Sequence, residues 1–61
     1  MTPILGQGGK VKGFIVETST GQTLLAPGGR VLGYYNANTD QTLTPGGALV
    51  GYGNQLYLLL N

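Results

Sequence analysis

The 61-residue chain has no cysteine, no histidine and no tryptophan, and its only acidic residues are Glu17 and Asp40. Without cysteine no disulfide can staple so short a chain, and its redox compartment is left open. Without histidine or cysteine, neither a serine or cysteine triad of the ordinary kind nor the usual zinc ligand set can be assembled. Glu17 and Asp40 fall near separate loop tips and form no evident carboxylate pair for glycoside chemistry. We therefore expect no catalytic residues, no metal and no cofactor.

Charge is scarce. Asp, Glu, Lys and Arg make up 8% of the chain, against about 25% in ordinary soluble domains. A surface so poor in charge is expected to be covered. The net charge of +1, from Lys10, Lys12 and Arg30 against the two acids, is too small for a phosphate-tracking groove, so no nucleic-acid partner is expected. The longest apolar run, Leu56 to Leu60, is far short of the roughly 20 residues of a spanning helix. The stretch Met1-Thr2-Pro3-Ile4-Leu5-Gly6 lacks the basic and long apolar regions of a signal peptide. These features predict neither membrane span nor leader and leave localisation open. Chains of this size bury only about 60% of the surface exposed on unfolding. With disulfides and metals excluded, oligomerisation is the remaining route to stability.

What the chain does have is glycine, twelve of them, placed repetitively. Pro27-Gly28-Gly29-Arg30-Val31-Leu32-Gly33-Tyr34 is echoed by Pro45-Gly46-Gly47-Ala48-Leu49-Val50-Gly51-Tyr52 and by Gly8-Gly9-Lys10-Val11-Lys12-Gly13-Phe14. The later halves share Gln22-Thr23-Leu24, Gln41-Thr42-Leu43 and, more loosely, Gln55-Leu56-Tyr57. This divides the chain into units 8 to 27, 28 to 45 and 46 to 61, with a half unit at 1 to 7, or about three and a half repeats. Gly6-Gln7-Gly8-Gly9-Lys10-Val11 lacks the spacing and the Ser or Thr of a phosphate loop, and reads as a turn.

Each half unit has the marks of a strand, with β-branched and aromatic residues in short runs bounded by Gly, Pro, Asn and Asp. Up to seven strands are predicted, near 2 to 6, 10 to 17, 22 to 26, 30 to 36, 41 to 44, 48 to 52 and 55 to 60. Short connections make neighbours antiparallel. Pro27-Gly28 and Pro45-Gly46 suit the central positions of a type II turn, with positive φ at the first glycine of each pair. Gly53-Asn54 suits a two-residue hairpin loop. The expected fold is all-β, an antiparallel meander of tandem hairpins completed by oligomerisation into a barrel, a prism or stacked sheets.

Period-two alternation puts Val11, Gly13 and Ile15 on one face, with Val31, Gly33 and Tyr35, and Leu49, Gly51 and Gly53, as their equivalents. Lys12 and Phe14, Leu32 and Tyr34, and Val50 and Tyr52 take the other. Both faces become more apolar along the chain, which predicts two-sided burial of its C-terminal half. The glycines at 13, 33 and 51 read as sites of a bulge or of close approach by another layer. Lys10, Lys12 and Glu17 are expected to mark a solvated end.

The run Leu56, Tyr57, Leu58, Leu59 and Leu60 is uncharged and free of proline. As an exposed edge strand it would template aggregation, so it is the expected self-association interface. In composition, rich in Gly, Thr, Asn, Gln and Tyr, the chain resembles small β proteins of phage particles and other extracellular assemblies. That resemblance implies a structural, self-assembling role, with copies of itself and a larger assembly as partners. The alternative is a carbohydrate-binding module with one shallow site per hairpin. There Tyr35 and Tyr52 would stack a glycan, and Asn36, Asn38 and Asn54 would supply polar contacts.

Overall fold

A computed structural model describes residues 1–60. They form one six-stranded antiparallel sheet in meander order: β1 (Thr2–Leu5), β2 (Val11–Thr18), β3 (Gly21–Leu25), β4 (Val31–Asn36), β5 (Gln41–Leu43) and β6 (Leu49–Tyr52). A 3-10 turn at Gln7–Gly9 joins β1 to β2, and a second at Leu56–Leu59 follows β6. The sequence predicts a seventh strand over 55 to 60, but the chain leaves the sheet after Tyr52 and folds back across it. Gly53 therefore opens no hairpin, although it does take positive φ, at 78°.

The three glycine-rich connections share one bonding pattern. Ala26 N–H donates to Arg30 O at 2.7 Å and Gly29 N–H to Ala26 O at 2.8 Å; Gly6, Gly9 and Lys10, and Thr44, Gly47 and Ala48, repeat it. The positive φ expected at Gly28 and Gly46 falls instead on the next residue, 96° at Gly29 and 94° at Gly47. Proline fixes the turn's first central residue, and the second glycine then takes the left-handed conformation that re-enters the ladder. In the first connection Gly8 also has positive φ, 76°.

Register places a bulge at the same point three times. Ile4 faces Gly13 but Leu5 faces Val11; Leu24 faces Gly33 but Leu25 faces Val31; Thr42 faces Gly51 but Leu43 faces Leu49. The extra residues are Lys12, Leu32 and Val50, each just before a mid-strand glycine, which bears out the bulge reading of those glycines. The bulges also correct the expected faces. An extra residue interrupts period-two alternation, so Val11, Val31 and Leu49 join the face of Phe14, Tyr34 and Tyr52. Leu25 faces both Phe14 and Val31, and Leu43 faces both Tyr34 and Leu49.

The first face holds Gly13, Ile15, Leu24, Gly33, Tyr35, Thr42 and Gly51. The C-terminal segment covers it, and Leu24 and Leu56, 0% and 1% exposed, are the buried core. Glycine permits this close layer: an ideal Cβ on Gly33 would lie 2.2 Å from Leu59 Cδ1, and one on Gly13 would lie 3.3 Å from Leu60 Cδ2. Buried Thr42 pins the segment, its hydroxyl donating to Gly53 O and accepting from Gln55 N–H, both at 2.8 Å. Among the described residues no buried side-chain polar atom lacks a partner, and no helix is long and apolar enough to cross a membrane.

Candidate functional site

The loops opposite the glycine turns gather most of the polar side chains. Ser19 and Thr20 connect β2 to β3, with Thr18 Oγ1 accepting from Gly21 N–H at 3.1 Å. Between β4 and β5, Asn36 Oδ1 accepts from Asn38 N–H at 2.9 Å, the local turn bond that Asn favours. Asp40 takes φ 54° and accepts from the Tyr35 hydroxyl at 2.8 Å. That bond, then desolvation and the carboxylate's negative charge, raise the Tyr35 hydroxyl above the ordinary tyrosine pKa. The two acids lie at this end, whereas Lys10, Lys12 and Arg30 lie at the glycine-turn end. Lys10, Lys12 and Glu17, expected to mark a solvated end in the first unit, are all exposed, with β2 running its length between the two lysines and the acid.

Two clefts open here. One, of about 230 Å³, is lined by Ile15 and Leu56 with Glu17, Gln22, Asn54 and Tyr57. Its polar groups form a relay: Gln22 Nε2 donates to Glu17 Oε1 at 3.3 Å, Asn54 Nδ2 to Gln22 Oε1 at 2.8 Å, and Leu56 N–H to Asn54 Oδ1 at 3.3 Å. The other, of about 280 Å³, is lined by Thr18, Thr20, Tyr34, Tyr35, Asn36 and Leu43.

The five expected ligand contacts are not brought into one site. Tyr35 and Asn36 share the second cleft, Asn54 lines the first, and neither Asn38 nor Tyr52 lines either. Sequence reading missed Glu17, Gln22 and Tyr57 as neighbours of Asn54. The pairing of Glu17 with Gln22 follows from the β2–β3 hairpin register, but Tyr57 arrives only because the C-terminal segment folds back. Of the expected interface residues, Leu56 is buried, Leu59 and Leu60 are half-buried against the sheet, and Tyr57 and Leu58 stay exposed.

The second face keeps large apolar side chains exposed. It runs from Pro3 and Leu5 through Phe14, Val16, Leu25 and Tyr34 to Leu49 and Tyr52, and no position the register assigns to it is charged. Leu5, Val11, Tyr34, Leu49 and Tyr52 are each at least 39% exposed. Comparison with known proteins finds no matching family model, no matching curated protein and no matching solved structure.

Proposed function

We propose that this chain is a non-enzymatic structural protein that works by self-assembly, as a building block of a larger particle of the kind its composition resembles. The observation that carries the reading is the uncovered second face. Monomeric proteins rarely leave so extended an apolar surface open, and such patches mark interaction sites. The molecule measures 34 × 21 × 18 Å, so its broad face projects about 700 Å², and a second copy laid on it buries about 1,400 Å² in total, the size of a standard specific interface. A second copy fits for a chemical reason: two faces without charge meet without stranding an ion.

Native mass measurement or analytical ultracentrifugation tests the proposal. The expected result is a defined multimer that dissociates when Leu49→Lys places a charge on the open face. A folded monomer that persists at high concentration overturns it.

Carbohydrate recognition is the second reading, favoured by one specific observation: the first cleft sets a carboxylate, two amides and a tyrosine ring around an apolar wall. Convergent polar groups on an apolar lining are what small polar ligands use. Glycan-array binding lost in Tyr57→Ala supports it, and silence across a broad array counts against it.

A further inference from the structure

We infer that copies of this chain join head to tail, with strand β1 of one copy pairing beside strand β6 of the next as the partner strand that the third repeat unit lacks. This rests on the self-assembly reading above and adds to its face-to-face contact a second one, edge to edge.

The register supplies the argument. Leu5, Leu25 and Leu43 occupy equivalent places, each opposite the first residue of a bulged strand, namely Val11, Val31 and Leu49. Phe14, Tyr34 and Tyr52 are likewise equivalent, each following a mid-strand glycine. Phe14 faces Leu25, and Tyr34 faces Leu43. Tyr52 has no leucine across from it, because the chain leaves the sheet at Gly53, and Leu5 has no aromatic residue across its outer edge. They are the two halves of one missing pair, held on opposite edges of the sheet. Their exposures agree: Tyr52 is 67% and Leu5 62% exposed, while Phe14, Leu25 and Leu43 are half-buried.

Backbone polarity matches as well. Gly6 N–H bonds inward to Lys10 O, so alternation along an antiparallel strand turns the N–H and C=O of Leu5 outward. Gly53 N–H bonds inward to Asp40 O, so those of Tyr52 also face outward. The outward Tyr52 carbonyl accepts from Gln55 Nε2 at 3.2 Å, a side-chain cap that a strand can share or displace. Each edge thus offers one donor and one acceptor to the other.

Pro3 sets the register. Its position on the outer edge of β1 has no N–H to give, the usual guard against indiscriminate edge pairing. With Leu5 opposite Tyr52, Pro3 falls opposite Asn54, which has already left the sheet, so no β6 acceptor loses a donor. A slip by two residues sets Pro3 against Tyr52 and forfeits a ladder bond. The contact is a short ladder plus the Leu5–Tyr52 pair, and it carries the uncharged face on from copy to copy. Because the two edges differ, the contact is heterologous and generates a ring or a filament.

Cysteine cross-linking tests the interface on a chain that has no cysteine of its own. Directly opposed residues of a hydrogen-bonded pair lie about 5.5 Å apart at Cα, within disulfide reach. Leu5→Cys mixed with Tyr52→Cys is expected to give disulfide dimers well in excess of same-site dimers, and the double variant a covalent ladder or closed ring. Thr2→Cys with Tyr52→Cys is expected to link poorly. Hydrogen exchange on the unmodified chain reads the same contact without substitution. On assembly, the Leu5 and Tyr52 amides should slow by more than about tenfold. A multimer in which positions 5 and 52 neither link nor gain protection overturns this interface and leaves self-assembly standing; a persistent monomer overturns both.

Discussion

The three mid-strand glycines sit in nearly the same sequence context but face different neighbours, so one substitution should give three outcomes. A Cβ on Gly13 would lie 2.7 Å from Leu25 O, a backbone atom of the adjoining strand. A Cβ on Gly33 would meet Leu59 Cδ1 at 2.2 Å and Leu43 O at 3.0 Å. On Gly51 the nearest atom is Gln55 Cγ, at an ordinary 3.5 Å. None of the three has positive φ, so alanine brings no backbone strain and space alone decides. Overpacking costs about 1–3 kcal/mol, whereas a tolerated Gly→Ala gains about 0.4–1 kcal/mol by restricting the unfolded chain.

Gly13→Ala is therefore expected to lose about 2–3 kcal/mol. Gly33→Ala should lose about 1–2 kcal/mol, because the Leu59 side chain can turn aside but Leu43 O cannot. Gly51→Ala should be neutral or slightly stabilising. At roughly 0.05–0.15 kcal/mol per residue the whole chain has about 3–9 kcal/mol, so the first change removes a large share. Urea denaturation followed by circular dichroism, at one fixed protein concentration to hold assembly constant, reads the differences as midpoint shifts. Combining Gly33→Ala with Leu59→Ala should show positive coupling; combining Gly13→Ala with Leu59→Ala should not. If Gly51→Ala destabilises as much as Gly13→Ala, the glycines serve a requirement common to all three bulges, and the explanation from each glycine's own neighbours fails.

Two further outcomes follow from single hydrogen-bonded groups. Thr42→Val keeps the shape but strands Gln55 N–H and Gly53 O, so it should cost about 1–3 kcal/mol, with Thr42→Ser retaining most of the stability; equal midpoints for Val and wild type would refute the pinning role. Tyr35 ionises above its ordinary pKa because of Asp40, so its folded value exceeds its unfolded one. Its contribution to stability is then complete below about pH 10 and lost as pH rises through the folded value. Ultraviolet titration should show Asp40→Asn lowering that ionisation, and an unchanged curve would count against the bond.

The meander was legible because its punctuation is local. Pro-Gly-Gly and Gln-Thr-Leu each recur, and short turns between β-rich runs leave little choice but antiparallel neighbours. The faces were only partly legible. Alternation reads Val31 and Gly33 as one side, and a bulge between them is invisible until Leu25 is seen facing Val31 while Leu24 faces Gly33. The left-handed residue was misplaced by one for a similar reason, since Gly28 and Gly29 both accept it and the ladder bond from Ala26 to Arg30 decides. The cleft was less legible still. Glu17 and Gln22 meet through the hairpin, but Asn54 reaches Gln22 across 32 positions of sequence.

The C-terminal run shows why propensity failed there. Leu56 to Leu60 could extend β6 as a seventh strand or cover the first face, and the magnitudes separate the two. A short ladder adds a few hydrogen bonds worth about 1 kcal/mol net each, while leaving Leu24, Gly13 and Gly33 under water. Folding back buries Leu56 fully and Leu59 and Leu60 in part, at about 1.5–3 kcal/mol per fully buried side chain. The Thr42 hydroxyl then meets the polar demand of the turn. In the place where β3 carries Leu24, β5 carries a residue that can hold the returning backbone. Covering the face wins, and winning has a structural consequence. The same departure at Gly53 that builds a core for the single chain leaves Tyr52 without a partner strand and the second face without a lid. The same few residues thus settle both the core and the open edge of the sheet.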